Sequence, residues 1–466
     1  MSAAPFVLTA AEMAHAFRGT LVSGDASAPM PDVSIDTRTL QPGALFVAIA
    51  GPTFDGHTFV GEAVARGAAG VVVSDADAAR DVTDGVAVIH VHDTLLGMQQ
   101  AAHVVRQRSQ TRLVAITGSA GKTTTKEITA ALLATHFTTF RTQGNLNNHI
   151  GLPLSLFALR TCPAVGVVEL GMSGLGEIRR LVQIADPEVR VWTNVGSAHL
   201  GHFASVDQIA EAKAEILEEA DSDDVLVANA GDARVMRHAR RFAGRTITFG
   251  VGVDADVAVR DVEARGAQGM RARLVARGDT RVFETPLLGE GNLANIAAAT
   301  AVALDAGITL DDVVRTVSTL PASPHRGQVV RAPGGWTIID DAYNSSPEAL
   351  QRALTTLASA DGRRIALLGE MLELGDASVR LHRECGHAAA HAGLAHLAVV
   401  GGPPADALAE GATEAGLDAV CLTREATSDA LARRVRAIVR RGDVVLVKGS
   451  RGTAMDRVVA ALMEED

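Results

Sequence analysis

Short apolar runs recur along the chain, each followed by a stretch long enough for a helix. In the first hundred or so residues, Ala44-Leu45-Phe46-Val47-Ala48-Ile49 and Gly70-Val71-Val72-Val73 alternate with Ala-rich helical stretches, which predicts a small α/β unit. A helical stretch over 94–110 runs into the polar segment Arg106-Gln107-Arg108-Ser109-Gln110-Thr111-Arg112, read as a connector between folded units. From 113 the order is strand (113–117), Gly loop and helix (123–136), with further apolar strands over 165–170 and 189–195. That alternation implies parallel strands joined by crossover helices. Over 254–286 it gives way to Val-rich alternation with Gly and Arg turns, the pattern of antiparallel strands, so a mixed sheet is expected. Pro321 and Pro324 disfavour continuous helix and mark a second boundary. Beyond it, apolar runs at 337–340, 365–368, 397–400 and 444–447 are separated by helix-length stretches and predict another doubly wound α/β domain. The expectation is an α/β protein of three domains, 1–110, 111–320 and 321–466, with a mostly parallel central sheet.

Composition narrows this. A chain of 466 residues, 47% hydrophobic, 21% charged and only 3% aromatic, describes an Ala/Val/Leu-rich soluble protein with a large core. The net charge of -11 gives no general attraction to nucleic acid or anionic lipid. An anionic substrate must therefore be held by local basic groups and helix N-termini. Cys162, Cys385 and Cys421 are widely spaced and form no CxxC pair, which argues against a disulfide framework or a zinc site. The N-terminus has no basic segment leading into a continuous apolar one, and no stretch approaches about 18 uninterrupted apolar residues. A cytoplasmic protein without an integral membrane segment is expected.

The strongest chemical signal is Ile116-Thr117-Gly118-Ser119-Ala120-Gly121-Lys122-Thr123-Thr124-Thr125, between an apolar strand and an amphipathic helix. Gly118, Ser119, Ala120 and Gly121 are small enough for backbone N–H groups to curl around phosphate oxygens. Lys122 can reach the β- and γ-phosphates, and the Thr123 hydroxyl, with Thr124 beside it, can bind Mg2+. The spacing is a TGxxGKTTT variant, not the strict GxxxxGK[ST] form. An ordinary Gly turn would leave a lysine flanked by glycine and three threonines unexplained. Glu169 stands at a strand end where ligands collect in parallel sheets and can bind Mg2+, although alone such a carboxylate is more often solvated or a helix cap. His199 follows another strand and reads either as a cation ligand or as a hydrogen-bonded loop histidine. Lys213, on a helix with one apolar face, reads by itself as a solvated lysine.

The order TGSAGKTTT, Gly144-Asn145-Leu146-Asn147-Asn148-His149-Ile150-Gly151-Leu152-Pro153, VELGM, NVGSAH, AKAEIL, GEGNLAN and DDAYNSSP resembles the Mur ligases throughout the chain. The resemblance implies an N-terminal domain for a UDP-linked substrate, a central ATPase domain and a C-terminal dinucleotide-fold-like domain. It also implies an ATP-dependent ligase that forms an amide through an acyl phosphate. Asp341-Ala342-Tyr343-Asn344-Ser345-Ser346-Pro347 and Leu368-Gly369-Glu370-Met371-Leu372-Glu373-Leu374-Gly375 are similar to segments of the members that add D-alanyl-D-alanine to UDP-N-acetylmuramoyl-tripeptide. Members that add the third amino acid usually carry DYAHxP and DNPR patterns, which this chain lacks. Folate polyglutamate ligases share the ATPase core, and a P-loop switch or motor is the alternative of another class.

By the same resemblance Asp36, Thr37, Arg38 and the stretch Phe54-Asp55-Gly56-His57 shape a uridine-nucleotide pocket, and Asn147 and Asn148 lie on the muropeptide side. An Asx-type turn and a surface loop are the plain alternatives for these. Glu169 and His199 are implied as Mg2+ ligands, and Lys213 as a carbamylated lysine whose anion orders Mg2+. Asn292 and Asn295 match adenine-contacting asparagines, with Gly291 where histidine is common; a helix N-cap is the alternative for Asn292. Arg326 matches an arginine that reaches the ATP phosphates, and Asp341, Tyr343 and Asn344 match a nucleotide-facing loop. Lys448-Gly449-Ser450-Arg451-Gly452 reads equally as a carboxylate site or a strand-to-helix turn. The implied catalytic set is Lys122, His199, Lys213 and Arg326, on a chain able to work as a monomer with ATP and Mg2+.

Overall fold

Gly70 and the three β-branched valines after it, Gly70–Val73, are all buried, which is why this strand reads as an unbroken apolar run: a central parallel strand is covered on both faces. It sits in the middle of a five-stranded sheet ordered Thr20–Ser23, Ala87–His90, Gly70–Val73, Leu45–Val47, Val33–Ser34. Only the edge strand Thr20–Ser23 is antiparallel to its neighbour. The structure is a computed structural model and describes residues 4–51, 53–82 and 84–464. They divide into two units, Met1–Ala115 with Phe137–Arg190 and Glu218–Asp221, and Ile116–His136 with Val191–Leu217 and Ser222–Asp466.

The first unit also holds the helix Thr94–Ser109, which starts at Asp93, whose carboxylate accepts the Leu96 N–H, and stops at Gln110 in left-handed conformation. The polar segment expected as a connector is partly the last turn of this helix. Arg106 in it is 3% exposed, because its guanidinium donates to Ala185 O (2.9 Å) and Asp186 O (2.7 Å) and pairs with Glu188 at 2.6 Å. A cation on the terminal carbonyls of the helix Glu177–Ala185 meets both their hydrogen-bonding need and the helix dipole. Tertiary acceptors of this kind are invisible in sequence. Within this unit the strand Val165–Glu169 runs parallel to Thr139–Arg141 and beside the first residues of Arg112–Thr117.

The second unit carries two sheets. In the first, the order is Asp279–Thr285, Met270–Ala276, Val257–Ala264, Arg245–Val251, Val225–Asn229, then the ends of Val189–Trp192 and Arg112–Thr117. It is parallel from Val225–Asn229 to Val257–Ala264 and antiparallel over the next two strands, the change of pattern expected over 254–286. The other sheet is six-stranded, ordered Gln328–Arg331, Thr337–Asp341, Val444–Lys448, Arg364–Gly369, His396–Val400, Leu422–Glu425. All its pairs are parallel except the edge pair Gln328–Arg331 with Thr337–Asp341. Along Arg364–Gly369, Ala366 and Leu368 join one apolar cluster and Ile365 and Leu367 another, so both faces of this sheet are covered, as a doubly wound domain requires. Asp341, Gly369 and Lys448 fall at the carboxyl ends of its strands, the edge at which such sheets bind ligands.

Cys162, Cys385 and Cys421 are free thiols. Among the described residues no helix is long and apolar enough to cross a membrane.

Asp232 ties the first of these two sheets to the loop that follows Val189–Trp192. One oxygen caps the helix Ala233–Ala239 by accepting the Arg234 and Val235 N–H groups, and the other accepts the Val195 N–H at 2.7 Å. Asp232→Ala should cost about 2 kcal/mol, from a lost cap and an unpaired amide. The check is a lower urea midpoint followed by tryptophan fluorescence, since Trp192 is fully buried on the adjoining strand.

Candidate active site

A loop that presents its N–H groups to an anion cannot use them to hold itself together, and here the support comes from the segment after Val189–Trp192. Asn194 grips Ala120 with both ends of its amide: Oδ1 accepts the Ala120 N–H at 2.8 Å and Nδ2 donates to Ala120 O at 3.0 Å. The Thr193 hydroxyl donates to Ala120 O at 2.7 Å, the Ser119 N–H donates to Asn194 O at 3.0 Å, and Ser119 Oγ accepts the Gly196 N–H at 2.8 Å. Gly118 and Gly121 are demanded by this fit. They have φ of 150° and 83°, and a Cβ would stand 1.9 Å from Thr193 Oγ1 at Gly118 and 2.4 Å from Asn295 Oδ1 at Gly121. Gly121 is followed directly by the helix Lys122–Leu133, so Lys122 and Thr123 open the helix whose N-terminus faces the loop. Lys122 Nζ donates to Gly118 O at 2.8 Å.

Asn295 backs the loop. It is 8% exposed, accepts from the Thr125 hydroxyl at 3.2 Å and donates to Asn292 Oδ1 at 3.2 Å. Asn292 is not the N-cap of its helix: Gly289 is the cap of Glu290–Asp305, and the Asn292 amide donates to Leu288 O at 2.8 Å. At Gly291 a Cβ would lie 3.4 Å from Arg352 Nε.

Lys213 is 1% exposed, not the solvated helix lysine that its sequence context gives. Burial, and then the neighbouring Lys122 ammonium, hold its amine well below the ordinary lysine range, because both penalise a second positive charge. His199 is held below the usual histidine value by burial first, then by Lys122 and Lys213, against an opposing pull from Glu373. Lys122, His199 and Lys213 thus share one electrostatic environment, which favours the neutral imidazole of His199. Its Nδ1 lies 2.5 Å from Glu373 Oε2, a hydrogen bond of the kind the plain reading of this histidine expects.

The segment around Tyr343 is organised by two cations. The Arg326 guanidinium stacks on the Tyr343 ring with its carbon 3.8 Å from the centroid, and Arg451 lies 5.2 Å from the same ring. Asp341 is ion-paired with Lys448 at 2.6 Å, and Lys448 Nζ also donates to Asn344 O at 2.9 Å. Lys448 is itself 3% exposed, so this lysine holds the loop. Glu348, at the start of the helix Pro347–Ala358, accepts the Ser197 N–H at 2.9 Å and its hydroxyl at 3.1 Å. Asn194, Thr193 and Glu348 are residues to which reading by motif gave no role, and Glu373 and Lys448 lay in segments it quoted without these partners. Asn194 carried a usable signal, since an amide at a strand end beside a Gly loop supplies one donor and one acceptor together.

In the first unit, Asn147 Nδ2 donates to Glu169 Oε1 at 2.8 Å, which joins two residues of the expected set. Asn148 instead accepts the Ile150 and Gly151 N–H groups at 3.2 and 2.8 Å. Asp36, Thr37 and Arg38 form the Asx-type turn: Asp36 Oδ1 accepts the Arg38 N–H at 2.9 Å, and the Arg38 side chain folds back onto the same carboxylate. That guanidinium holds the Asp36 carboxyl below its usual range. His57 Nε2 accepts the Ser74 N–H at 3.0 Å, which pins the stretch 54–57.

Sequence and structure comparisons bear on this arrangement. Family models match three segments: Mur ligase family, catalytic domain, over 32–131; Mur ligase middle domain, over 116–303; and Mur ligase, glutamate ligase domain, over 325–451. The UDP-N-acetylmuramoyl-tripeptide--D-alanyl-D-alanine ligase of Bacillus subtilis (strain 168) is 34% identical over 459 residues, 98% of each chain. A crystal structure of MurF from Acinetobacter baumannii matches with a TM-score of 0.89 at 30% identity, covering 99% of both chains. MurF ligase from Thermotoga maritima in complex with ADP matches with a TM-score of 0.82 at 29% identity, covering 93% of this chain and 97% of that one. The segments that build the phosphate loop, its supporting strand ends and the tyrosine loop all lie inside these matches, and the chain belongs to the Mur ligase family.

Proposed function

We propose that this chain joins D-alanyl-D-alanine to UDP-N-acetylmuramoyl-tripeptide at the expense of ATP, giving the pentapeptide precursor of peptidoglycan. The observation that carries it is the Asn194-braced phosphate loop with Lys122, His199 and Lys213 around it, on a chain matched end to end by a ligase named for that reaction. We assign 1–110 to the UDP-linked substrate, 111–320 to ATP and 321–466 to the C-terminal ligase domain, and place the reaction in the cytoplasm.

The peptide's terminal carboxylate attacks the γ-phosphorus of ATP; an O–P bond forms, the bond to the β-γ bridging oxygen breaks, and ADP leaves. The amine of D-alanyl-D-alanine then attacks the acyl carbon, the C–O bond to phosphate breaks, and the amide, phosphate and one proton result. Lys122 and the N-terminus of Lys122–Leu133 offset charge on the transferred phosphoryl group. Arg326 serves the same end: stacking on Tyr343 occupies its flat face and leaves the N–H edge for phosphate oxygens.

Bound Mg2+ would polarise the γ-phosphoryl group and neutralise its charge. The Thr123 hydroxyl and the His199 imidazole would hold the cation, and the Glu169 carboxylate, a donor suited to a hard cation, is the further ligand that the family implies. Among the described residues no three His, Cys, Asp or Glu side chains gather as a metal cage; Mg2+ is ordinarily held by one or two protein ligands together with substrate phosphates and water. Asn147 orients the Glu169 carboxylate through its 2.8 Å hydrogen bond.

Lys213 supplies an amine that burial holds well below the ordinary lysine range, which raises the share of the neutral form that adds to carbon dioxide. The nitrogen–carbon bond forms, a proton leaves, and the lysine becomes an anionic carbamate. Placed near Lys122, that anion removes the like-charge repulsion that an ammonium there would suffer.

With ATP, Mg2+, UDP-N-acetylmuramoyl-tripeptide and D-alanyl-D-alanine, mass spectrometry should find the pentapeptide together with equal ADP and phosphate, and no product when any one component is left out. ADP release without pentapeptide would send the acceptor assignment to another amino acid. For Lys213, protein incubated with 13C-bicarbonate should show a carbamate resonance in 13C NMR that Lys213→Arg lacks, and that variant should lose at least about a hundredfold in kcat. A wild-type spectrum without the resonance at any bicarbonate concentration would remove the carbamate.

A further inference from the structure

The segment Leu368-Gly369-Glu370-Met371-Leu372-Glu373-Leu374-Gly375 has no part in the chemistry above, yet it makes a close approach to the loop that carries His199. His199 Nδ1 and Glu373 Oε2, 174 residues apart in the chain, are 2.5 Å apart in space. Two residues on, the Gly201 N–H donates to the Glu373 carbonyl at 2.7 Å. The two backbones touch: a Cβ on Gly201 would stand 2.9 Å from Gly375 N and 3.1 Å from Glu373 O. His199 and Glu373 are both left-handed, with φ of 67° and 64°, a conformation that non-glycine residues rarely hold unless their surroundings fix it.

A carboxylate only accepts hydrogen bonds, so the imidazole nitrogen facing it bears the hydrogen. Nδ1 is then N–H, and Nε2 carries the lone pair. An imidazole backed in this way by a carboxylate has one defined nitrogen to offer a metal and one defined ring orientation.

We propose that Glu373 is a positioning residue for the divalent cation of the ATP site: it fixes His199 as the Nδ1–H tautomer and leaves Nε2 as the nitrogen that would be offered to the metal, so that the segment 368–375 supports the metal-binding loop. This rests on His199 being a Mg2+ ligand, as proposed above. It also gives that segment, similar to one in the D-alanyl-D-alanine-adding members, a role in ATP activation separate from recognition of the acceptor.

The test uses the full-length protein with ADP and Mn2+ in place of Mg2+, with free Mn2+ read by electron paramagnetic resonance. Glu373→Ala should weaken Mn2+ binding about tenfold, the usual effect of removing the partner behind a ligating imidazole. Glu373→Gln keeps a neutral acceptor and should stay within about threefold of wild type. His199→Ala should bind at least as weakly as Glu373→Ala, and the double variant no more weakly than His199→Ala alone, because the two act as one unit. The Glu373 side chain is 53% exposed, so these substitutions remove little packing. In metal-free protein with 15N-labelled histidine, His199 should be Nδ1–H in wild type and shift toward Nε2–H in Glu373→Ala. Wild-type Mn2+ affinity in Glu373→Ala alongside weakened binding in His199→Ala overturns the positioning role and leaves the ligand assignment standing. Unchanged affinity in His199→Ala overturns the ligand assignment itself, and a wild-type His199 found as Nε2–H overturns the positioning role by a separate route.

Discussion

The double hydrogen bond between the Asn194 amide and the two backbone atoms of Ala120 is the contact on which the rest of the site depends. A phosphate-binding loop must keep most of its N–H groups aimed inward and unpaired with protein, and a buried polar backbone cannot be left without partners. An amide side chain solves this at one residue, because it offers a donor and an acceptor at a fixed separation. Thr193 and Ser119 add their hydroxyls, and Asp232 fixes the supporting loop from behind through Val195. Gly118 and Gly121 follow as necessities: the atoms that brace the loop stand where a Cβ would be. Two motifs separated by more than seventy residues are therefore one structural object.

Electrostatics builds on that frame. The chain as a whole carries -11, so the positive character of the site is local: Lys122 at a helix start, Lys213 buried beside it, Arg326 and Arg451 on one tyrosine ring. Two lysines so close cannot both carry full charge without cost, and burial makes Lys213 the one to yield. Burial first, and then the same pair, hold His199 below the usual histidine value. The lowered lysine and histidine are thus set first by burial and then by the position of Lys122, which the phosphate loop itself dictates.

Much of this was legible in the sequence, and the limits have a physical pattern. Strands such as Gly70–Val73 and Arg364–Gly369 could be read because burial on both faces leaves an unbroken apolar run. The hairpin region after Val257 could be read from its alternation and turns. The phosphate loop was readable because its function constrains consecutive residues. What could not be read were side chains whose meaning is set by a distant partner. Arg106 looked like linker and is a buried helix anchor; Lys213 by its local context looked solvated and is buried; Asn292, for which a helix cap was the plain alternative, lies inside its helix. Each has ordinary local context, and only tertiary contacts distinguish it.

The loop after Thr337–Asp341 shows how such partners change the sense of a charge. A carboxylate at Asp341, alone at the mouth of a phosphate site, would repel the nucleotide it is expected to face. Lys448, nearly excluded from solvent, pairs with it at 2.6 Å and with the Asn344 carbonyl at 2.9 Å, so the aspartate's charge is spent on shaping the loop. Tyr343 is then held between a neutralised acidic residue on one side in sequence and two guanidinium groups in space. The ring attracts the guanidinium faces, and those faces are the part of an arginine that phosphate does not need. The loop therefore orients Arg326 without consuming its hydrogen-bonding edge, which is the condition that its proposed role at the phosphoryl group requires.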